Sequence, residues 1–338
     1  MHIETDIDLT GHNTFALPSV AKRLVRIRNA ADACRVHSDS DLAGLPRAIL
    51  GGGSNVILPC TLSDLVLKVE ISGKRLLIER ADARIIEVGA GETWHDVVAW
   101  TMAMGWPGLE NLALIPGTAG AAPIQNIGAY GVEFKERFDS LDAVELETGR
   151  TVQMARDDCG FSYRNSVFKG ELANRYLVTR IRLRLPKAWR PVIDYPDLQR
   201  RARMMGHDNI DAQQIFDWVC AIRRAKLPDP AELGNAGSFF KNPVVDEATH
   251  RAMAQSEPEV VSFIQPDGTF KLSAGWMIEA CGWKGRQLGR VGVYEQQALV
   301  LVNRGGATME EVLSLAAAIG DSVRERFGIS LEMEPTPL

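Results

Sequence analysis

The stretch Ile115-Pro116-Gly117-Thr118-Ala119-Gly120-Ala121-Ala122-Pro123-Ile124-Gln125-Asn126-Ile127-Gly128-Ala129-Tyr130-Gly131 limits what this chain can fold into more than any other segment. It has almost no charge, so it does not read as a solvent loop, and its Gly and Pro content rules out a core helix. Small residues around a few amide side chains suit backbone packed against a flat, buried ligand. The alternative is a buried irregular crossover, which is costly inside a compact domain. A second glycine-rich element stands earlier: Ala48-Ile49-Leu50 reads as a short buried strand and runs into Gly51-Gly52-Gly53-Ser54-Asn55, followed by the apolar Val56-Ile57-Leu58. Consecutive glycines let backbone N–H groups approach a pyrophosphate without a side chain intervening. The loop fits neither GxGxxG nor GxxxxGK[ST]. A tight strand-connecting turn explains it equally well.

The chain is long, at 338 residues, for one hydrophobic core, so more than one domain is expected. With 46% hydrophobic residues it has the material for several cores. A net charge of −5 gives no general electrostatic footprint for nucleic acid. Cys34, Cys60, Cys159, Cys220 and Cys281 are odd in number and never in CxxC spacing, so neither a disulfide framework nor a metal site is expected, and each reads as a small buried hydrophobe. No apolar run reaches a membrane span, and the N-terminal residues are too acidic for a signal peptide. The expectation is a soluble, cytoplasmic, monomeric protein.

Periodicity supplies the elements. Residues 85–88 read as a strand, and Thr93 with Asp96 has capping-box spacing before a helix over 94–104, stopped by Gly105. Residues 144–152 read as a hairpin. Ile181, Leu183 and Leu185 alternate with Arg180, Arg182 and Arg184; the arginine face reads as a solvated surface or as a phosphate-binding stripe. A helix over 212–225 ends at Lys226-Leu227-Pro228-Asp229-Pro230, where a domain boundary is placed. Ser273 caps a helix over 274–281, and residues 297–303 form a strand. Thr308 and Glu311 open an amphipathic helix that Gly328 ends, and residues 329–334 alternate as a final strand.

Five motifs in order span nearly the whole chain: residues 51–55, 107–117, 123–131, Tyr163-Arg164-Asn165-Ser166-Val167-Phe168-Lys169, and Gly234-Asn235-Ala236-Gly237-Ser238-Phe239-Phe240-Lys241-Asn242-Pro243. Through them the chain resembles the UDP-N-acetylenolpyruvoylglucosamine reductases (UDP-N-acetylmuramate dehydrogenases), flavin enzymes of bacterial peptidoglycan precursor synthesis, in their longer subtype with a substrate-loop tyrosine. The resemblance implies an α+β fold: a two-lobed FAD-binding domain of the vanillyl-alcohol-oxidase type over 1–72 and 73–226, and an α+β substrate-binding domain over 227–338 whose final strand returns to the active site.

It further implies Gly51, Gly52, Gly53, Ser54, Asn55, Pro116, Gly117, Thr118, Gln125, Asn126, Gly128, Ala129 and Tyr130 as the FAD-binding set. Ser54 stands where many relatives of that fold carry a flavin-linked His, which implies non-covalent FAD. NADPH is the implied co-substrate and UDP-N-acetylglucosamine enolpyruvate the implied substrate. Hydride adds to an enolpyruvyl double bond only if the adjacent carboxylate can hold the developing negative charge, which Arg164 would stabilise. Ser238 resembles the family's proton donor; a hydroxyl is a weak acid and must be held close and desolvated. Glu334 matches the third catalytic residue. Tyr163, Tyr195, Lys226, Asn242, Lys284 and Gln297 match substrate-pocket positions, Phe263 sits where some relatives have a tyrosine, and Pro335-Thr336-Pro337 replaces a basic and apolar extension. By local sequence alone Arg164 could pair with a surface carboxylate, Ser238 could cap a turn, and Glu334 could share an exposed strand face with Ser330 and Glu332. Two rivals remain: another oxidase or reductase on the same FAD fold, and a catalytically silent flavin or nucleotide-sugar sensor.

Overall fold

The computed structural model describes residues 1–205 and 210–338. Strand Thr61–Val69 carries Leu65, Val66 and Leu67, all buried, a run that suits a strand covered on both faces. It lies inside a four-stranded sheet in the order Glu4–Asp8, Val20–Ile27, Thr61–Val69, Arg47–Leu50, and pairs in parallel with the last, Ala48 opposite Val66. Parallel neighbours need a crossover, and this crossover contains the first glycine loop.

A second, five-stranded antiparallel sheet runs in the order Thr151–Ala155, Phe138–Glu145, Tyr176–Pro186, Ala83–Gly89, Lys74–Glu79. Its first two strands form the expected hairpin, with Gly149 at φ +69° in the turn. Along Tyr176–Pro186 one face buries Ile181, Leu183 and Leu185. On the other, Arg180 and Arg182 reach the buried Glu87 at 3.0 Å each, Arg182 also reaches Asp142 at 2.6 Å, and Arg184 pairs with Asp82. That face is an ion-pair network and not an open phosphate stripe. Both sheets belong to one packed unit, Met1–Ile7, Ala21–Gly53 and Ser63–Ala225, with a continuous apolar core around Trp94, Phe134, Leu141 and Ile181.

The other unit comprises Asp8–Val20, Ser54–Leu62 and Lys226–Leu338. Its main sheet runs Asn235–Ser238, Val300–Asn303, Val291–Val293, Gln287–Leu288. Helices Ala274–Ala280 and Met309–Phe327 supply Met277, Ile278, Val312, Leu315, Ile319 and Val323 to a core that also holds Phe15, Leu17, Phe239 and Phe240. The capping box of Thr308 and Glu311 is formed, and Gly328 ends the helix at φ +68°.

Three expectations are corrected. Helix Trp94–Ala103 is present, but Thr93 makes no side-chain cap bond; its backbone instead bridges Thr118, so strand-like pairing fixes the helix entry. Residues 329–334 form no strand: only Met333 bridges, to Phe240, because the next donor along the chain, Thr336 N–H, goes to Asn55 O instead of continuing that ladder. The terminal strand is Thr336–Pro337, parallel to Val56–Ile57. Finally, Cys159 and Cys220 are buried, but Cys60 is exposed in the turn before Thr61–Val69, where its carbonyl accepts from Val20. Among the described residues no helix is long and apolar enough to cross a membrane.

Candidate active site

The two glycine stretches of the sequence meet in space. A Cβ on Gly51 would sit 2.7 Å from Thr118 Oγ1, and one on Gly52 would sit 3.0 Å from Gly117 Cα. Gly53 adopts φ +65°, the left-handed region. The second stretch is itself pinned to its neighbours: Trp94 N–H donates to Gly117 O (3.0 Å), Ala119 N–H to Glu92 O (2.8 Å), and Gly120 N–H to Ala90 O (2.8 Å). The turn reading of residues 51–55 is thus incomplete, because their glycines are required by a second loop pressed against them. Beneath this contact lies Lys68, whose ammonium donates to Gly51 O and whose pKa burial pushes down, against the pull of Glu70. Backbone packed on backbone, one half-buried ammonium and an uncharged flank fit a dinucleotide such as FAD, whose pyrophosphate is anionic and whose ring is flat.

Arg164 stands at the tip of a turn closed by reciprocal backbone bonds between Ser162 and Asn165 (3.1 and 3.2 Å). Its φ is +52°. A side chain other than glycine rarely takes that conformation, and when it does the surroundings over-determine it. Here the guanidinium Nη2 donates to Gly128 O at 2.6 Å and the group lies 5.3 Å over the Tyr163 ring. Asn126 (φ +45°), fully buried, ties the turn to the second glycine stretch: its Nδ2 donates to Ser162 O (3.0 Å) and Glu133 (3.2 Å), and its Oδ1 accepts from Lys135 N–H (2.9 Å). Ser166 adds a bond to Ile124 O at 2.5 Å. The Asn126 amide is therefore committed to protein groups, and its contribution is to place Gly128 and Arg164. Tyr130 and Gly131, at φ +48° and +87°, form the two-residue turn between the short strands Gly128–Ala129 and Val132–Glu133. Tyr130 packs edge-on against Tyr195, ring centroids 4.9 Å apart, and burial pushes its phenol up to about 12, so it stays neutral.

In the second unit, strand Asn235–Ser238 pairs with Val300–Asn303 through a register shift, with Gly237 at φ +69°. Such a bulge re-aims the side chain beyond it, and Ser238 is exposed while Asn235, Phe239 and Phe240 are buried. Asn235 locks the bulge: its amide donates to Leu233 O (2.9 Å) and Pro228 O (3.2 Å) and accepts from Gly237 N–H (2.9 Å). Glu334 is buried at 8% exposure. Its N–H donates to Phe239 O (2.9 Å), and its carbonyl accepts from Asn55 Nδ2 (3.1 Å), whose own carbonyl accepts from Thr336 N–H (3.0 Å). The chain after Glu334 is thereby anchored on Asn55 and on strand Val56–Ile57, with Ser238 one residue from Phe239. Glu332, by contrast, points outward to Lys241, so burial separates the two glutamates that alternation could not.

The remaining positions are more dispersed. The Asn242 side chain accepts from Ala274 N–H (3.0 Å) at the start of a helix; Gln297 accepts from Leu299 N–H (3.3 Å); Lys284 is exposed and pairs with Glu279 at 2.9 Å. Tyr195 is 41% exposed, as is Phe263, while Lys226 is exposed at the end of helix Ala212–Lys226. Two further cations on these elements escaped the sequence reading, Lys68 and Arg223. Each had a signal: a lone cation within an apolar strand, and an arginine four residues after Val219 on the buried stripe of its helix.

A family model described as FAD binding domain matches residues 21–155, and one described as UDP-N-acetylenolpyruvoylglucosamine reductase, C-terminal domain, matches residues 229–338. The UDP-N-acetylenolpyruvoylglucosamine reductase of Azoarcus sp. (strain BH72) is 57% identical over 337 residues, 98% of this chain and 97% of that one. That of Paraburkholderia phytofirmans is 55% identical over 332 residues, 98% and 96% of the two chains. The crystal structure of the Thermus caldophilus reductase superimposes with a TM-score of 0.70 at 23% identity, covering 100% of this chain and 99% of that one, and so shares the fold.

Proposed function

The chain belongs to the UDP-N-acetylenolpyruvoylglucosamine reductase family and is an oxidoreductase with an FAD-binding domain; from that premise we propose that it reduces UDP-N-acetylglucosamine enolpyruvate to UDP-N-acetylmuramate with non-covalent FAD and NADPH. The observation that carries the reading is the seat of Glu334, buried and held by its main chain between Phe239, beside Ser238, and Asn55 of the glycine loop. Neither rival gives a reason for a carboxylate buried at that position with its main chain fixed on both sides.

When bound, FAD supplies the two-electron carrier that takes hydride from NADPH and delivers it to the enolpyruvyl methylene carbon. Residues 51–55, Pro116, Gly117 and Thr118 would hold its diphosphate through backbone, aided by Lys68, and Gln125, Asn126, Gly128, Ala129 and Tyr130 would flank the ring. Arg164 is oriented to steady the substrate carboxylate as negative charge spreads into it, an effect strongest where water is excluded. Ser238 gives its hydroxyl proton to the carbon next to the carboxylate, and Glu334 shares the charge handling with Arg164. Tyr163, Tyr195, Lys226, Asn242, Lys284 and Gln297 are assigned to substrate binding. The functional division 1–72, 73–226 and 227–338 is likewise proposed; it is supported by the four-stranded sheet lying wholly before residue 72 and the five-stranded sheet between 74 and 186. A cytoplasmic, monomeric enzyme acting on a small molecule is the proposed setting.

The test is steady-state turnover of purified protein with NADPH and the enolpyruvyl substrate, followed by product mass. One NADPH oxidised per product heavier by two hydrogens is the expected result. Bound flavin with no NADPH consumption in the presence of fresh substrate would overturn the reading.

A further inference from the structure

Helix Ala212–Lys226 turns Ile215, Trp218, Val219 and Ile222 into the core, and Arg223 follows Val219 by four residues, on the same side. Among the described residues its Nε is enclosed and has no hydrogen-bond partner. The groups whose charge reaches it are Tyr130, Cys220 and Arg164, with the Tyr130 phenol within hydrogen-bonding reach. Tyr130 stays neutral, burial raises the Cys220 thiol so that it too stays neutral, and Arg164 is a second cation. No carboxylate stands among them. A desolvated cation whose strongest partners are a neutral phenol, a neutral thiol and a second cation, with its Nε unsatisfied, is suited to receive an anion.

We infer that Arg223 is the group that compensates the negative charge acquired by the bound cofactor when it takes up hydride. The inference rests on the FAD reading above. In that step the nicotinamide C–H bond breaks, its electron pair and hydrogen enter the isoalloxazine ring, NADPH leaves as NADP⁺, and the ring gains one unit of negative charge. The charge departs when the same hydride forms the new C–H bond on the enolpyruvyl methylene. Tyr130, the partner of Arg223, lies on the uncharged stretch 115–131 that flanks the ring in that reading, whereas Arg164 sits on its own turn and is reserved for the substrate carboxylate. A cation near the ring is one of the ways in which a protein tunes flavin electronics.

The test compares the midpoint potential of bound flavin, by equilibration with reference dyes, in wild-type holoprotein and in Arg223→Gln, Arg223→Met and Arg223→Lys, with flavin content and thermal melts measured alongside. The neutral variants should weaken binding of reduced relative to oxidised flavin about tenfold to a hundredfold, lowering the potential by about 30–60 mV for a two-electron couple. Arg223→Lys should keep most of the wild-type potential, which a purely structural role would not do. An unchanged potential in whichever neutral variant folds overturns the inference, as does an equal fall in the Lys variant. A rise in substrate KM at constant potential also overturns it, by assigning the cation to the substrate carboxylate. Wild-type protein that binds no flavin would instead defeat the FAD reading itself.

Discussion

Arg164 at φ +52° and Asn126 at φ +45° occupy conformations that the local sequence does not favour, and the structure sustains them with hydrogen bonds to Gly128 and Ser162. Strain of this kind is held where position matters. Replacing Arg164 with Met should slow reoxidation of reduced flavin by substrate about 10²- to 10³-fold while leaving reduction by NADPH unchanged, as single-turnover kinetics would show. Ser238→Ala should likewise spare the first half-reaction and slow the second by about 10²- to 10⁴-fold; equal losses in both halves would remove Ser238 as the proton donor. At this scale the sequence was legible through motifs. Arg164, Ser238 and Glu334 had ordinary local alternatives, and it is burial that tells Glu334 from Glu332. Lys68 and Arg223 belonged to no quoted motif, and their signal, a cation on a buried stripe, takes meaning only once the neighbouring elements are placed.

Individual elements obey short-range rules unless a distant segment intervenes. Thr308 caps its helix and Thr93 does not, although both precede an acid by three residues. Thr308→Ala should therefore lower unfolding free energy by about 1 kcal/mol, whereas Thr93→Ala, exposed and without a cap bond, should change it by less than about 0.5 kcal/mol. Denaturant titration of the two variants decides the point, and equal losses would contradict the assignment. Gly52→Ala places a Cβ against Gly117 backbone, which cannot swing aside; it should cost about 1–3 kcal/mol and lower flavin content. The strand expected over 329–334 failed for the same reason that Thr93 did. Local alternation said nothing of Val56–Ile57 waiting to pair with Thr336–Pro337.

The molecule as a whole carries a charge network on one face of its five-stranded sheet. Burial pushes the Glu87 carboxyl up, but Arg75, Arg182 and Arg180 outweigh it and hold its pKa below the ordinary 4.5. A carboxylate depressed in the folded state stabilises above its unfolded pKa, and that contribution fades as pH falls through the lower folded value. Glu87→Gln should thus cost about 3 kcal/mol at neutral pH, at the low end for a buried pair since Arg75 is 64% exposed. The gap from wild type should narrow below about pH 4; a constant gap in urea melts across that range would contradict the account. The helices Trp94–Ala103, Ala212–Lys226 and Met309–Phe327, the hairpin and the strand of Arg180, Arg182 and Arg184 were readable from periodicity and stop signals. The assignment of Asp8–Val20 and Ser54–Leu62 to the C-terminal unit was not, because it depends on pairings such as Asn235 with Thr14, 221 residues apart.

The claim that joins these scales is that one bound flavin carries hydride from NADPH to an enolpyruvyl ether. Anaerobic rapid mixing tests it most directly: reduce the bound flavin with one equivalent of NADPH, then add UDP-N-acetylglucosamine enolpyruvate and follow the flavin absorbance. The account predicts prompt, stoichiometric return of oxidised flavin. Flavin that stays reduced in the presence of substrate, and reoxidises only when oxygen is admitted, would contradict it.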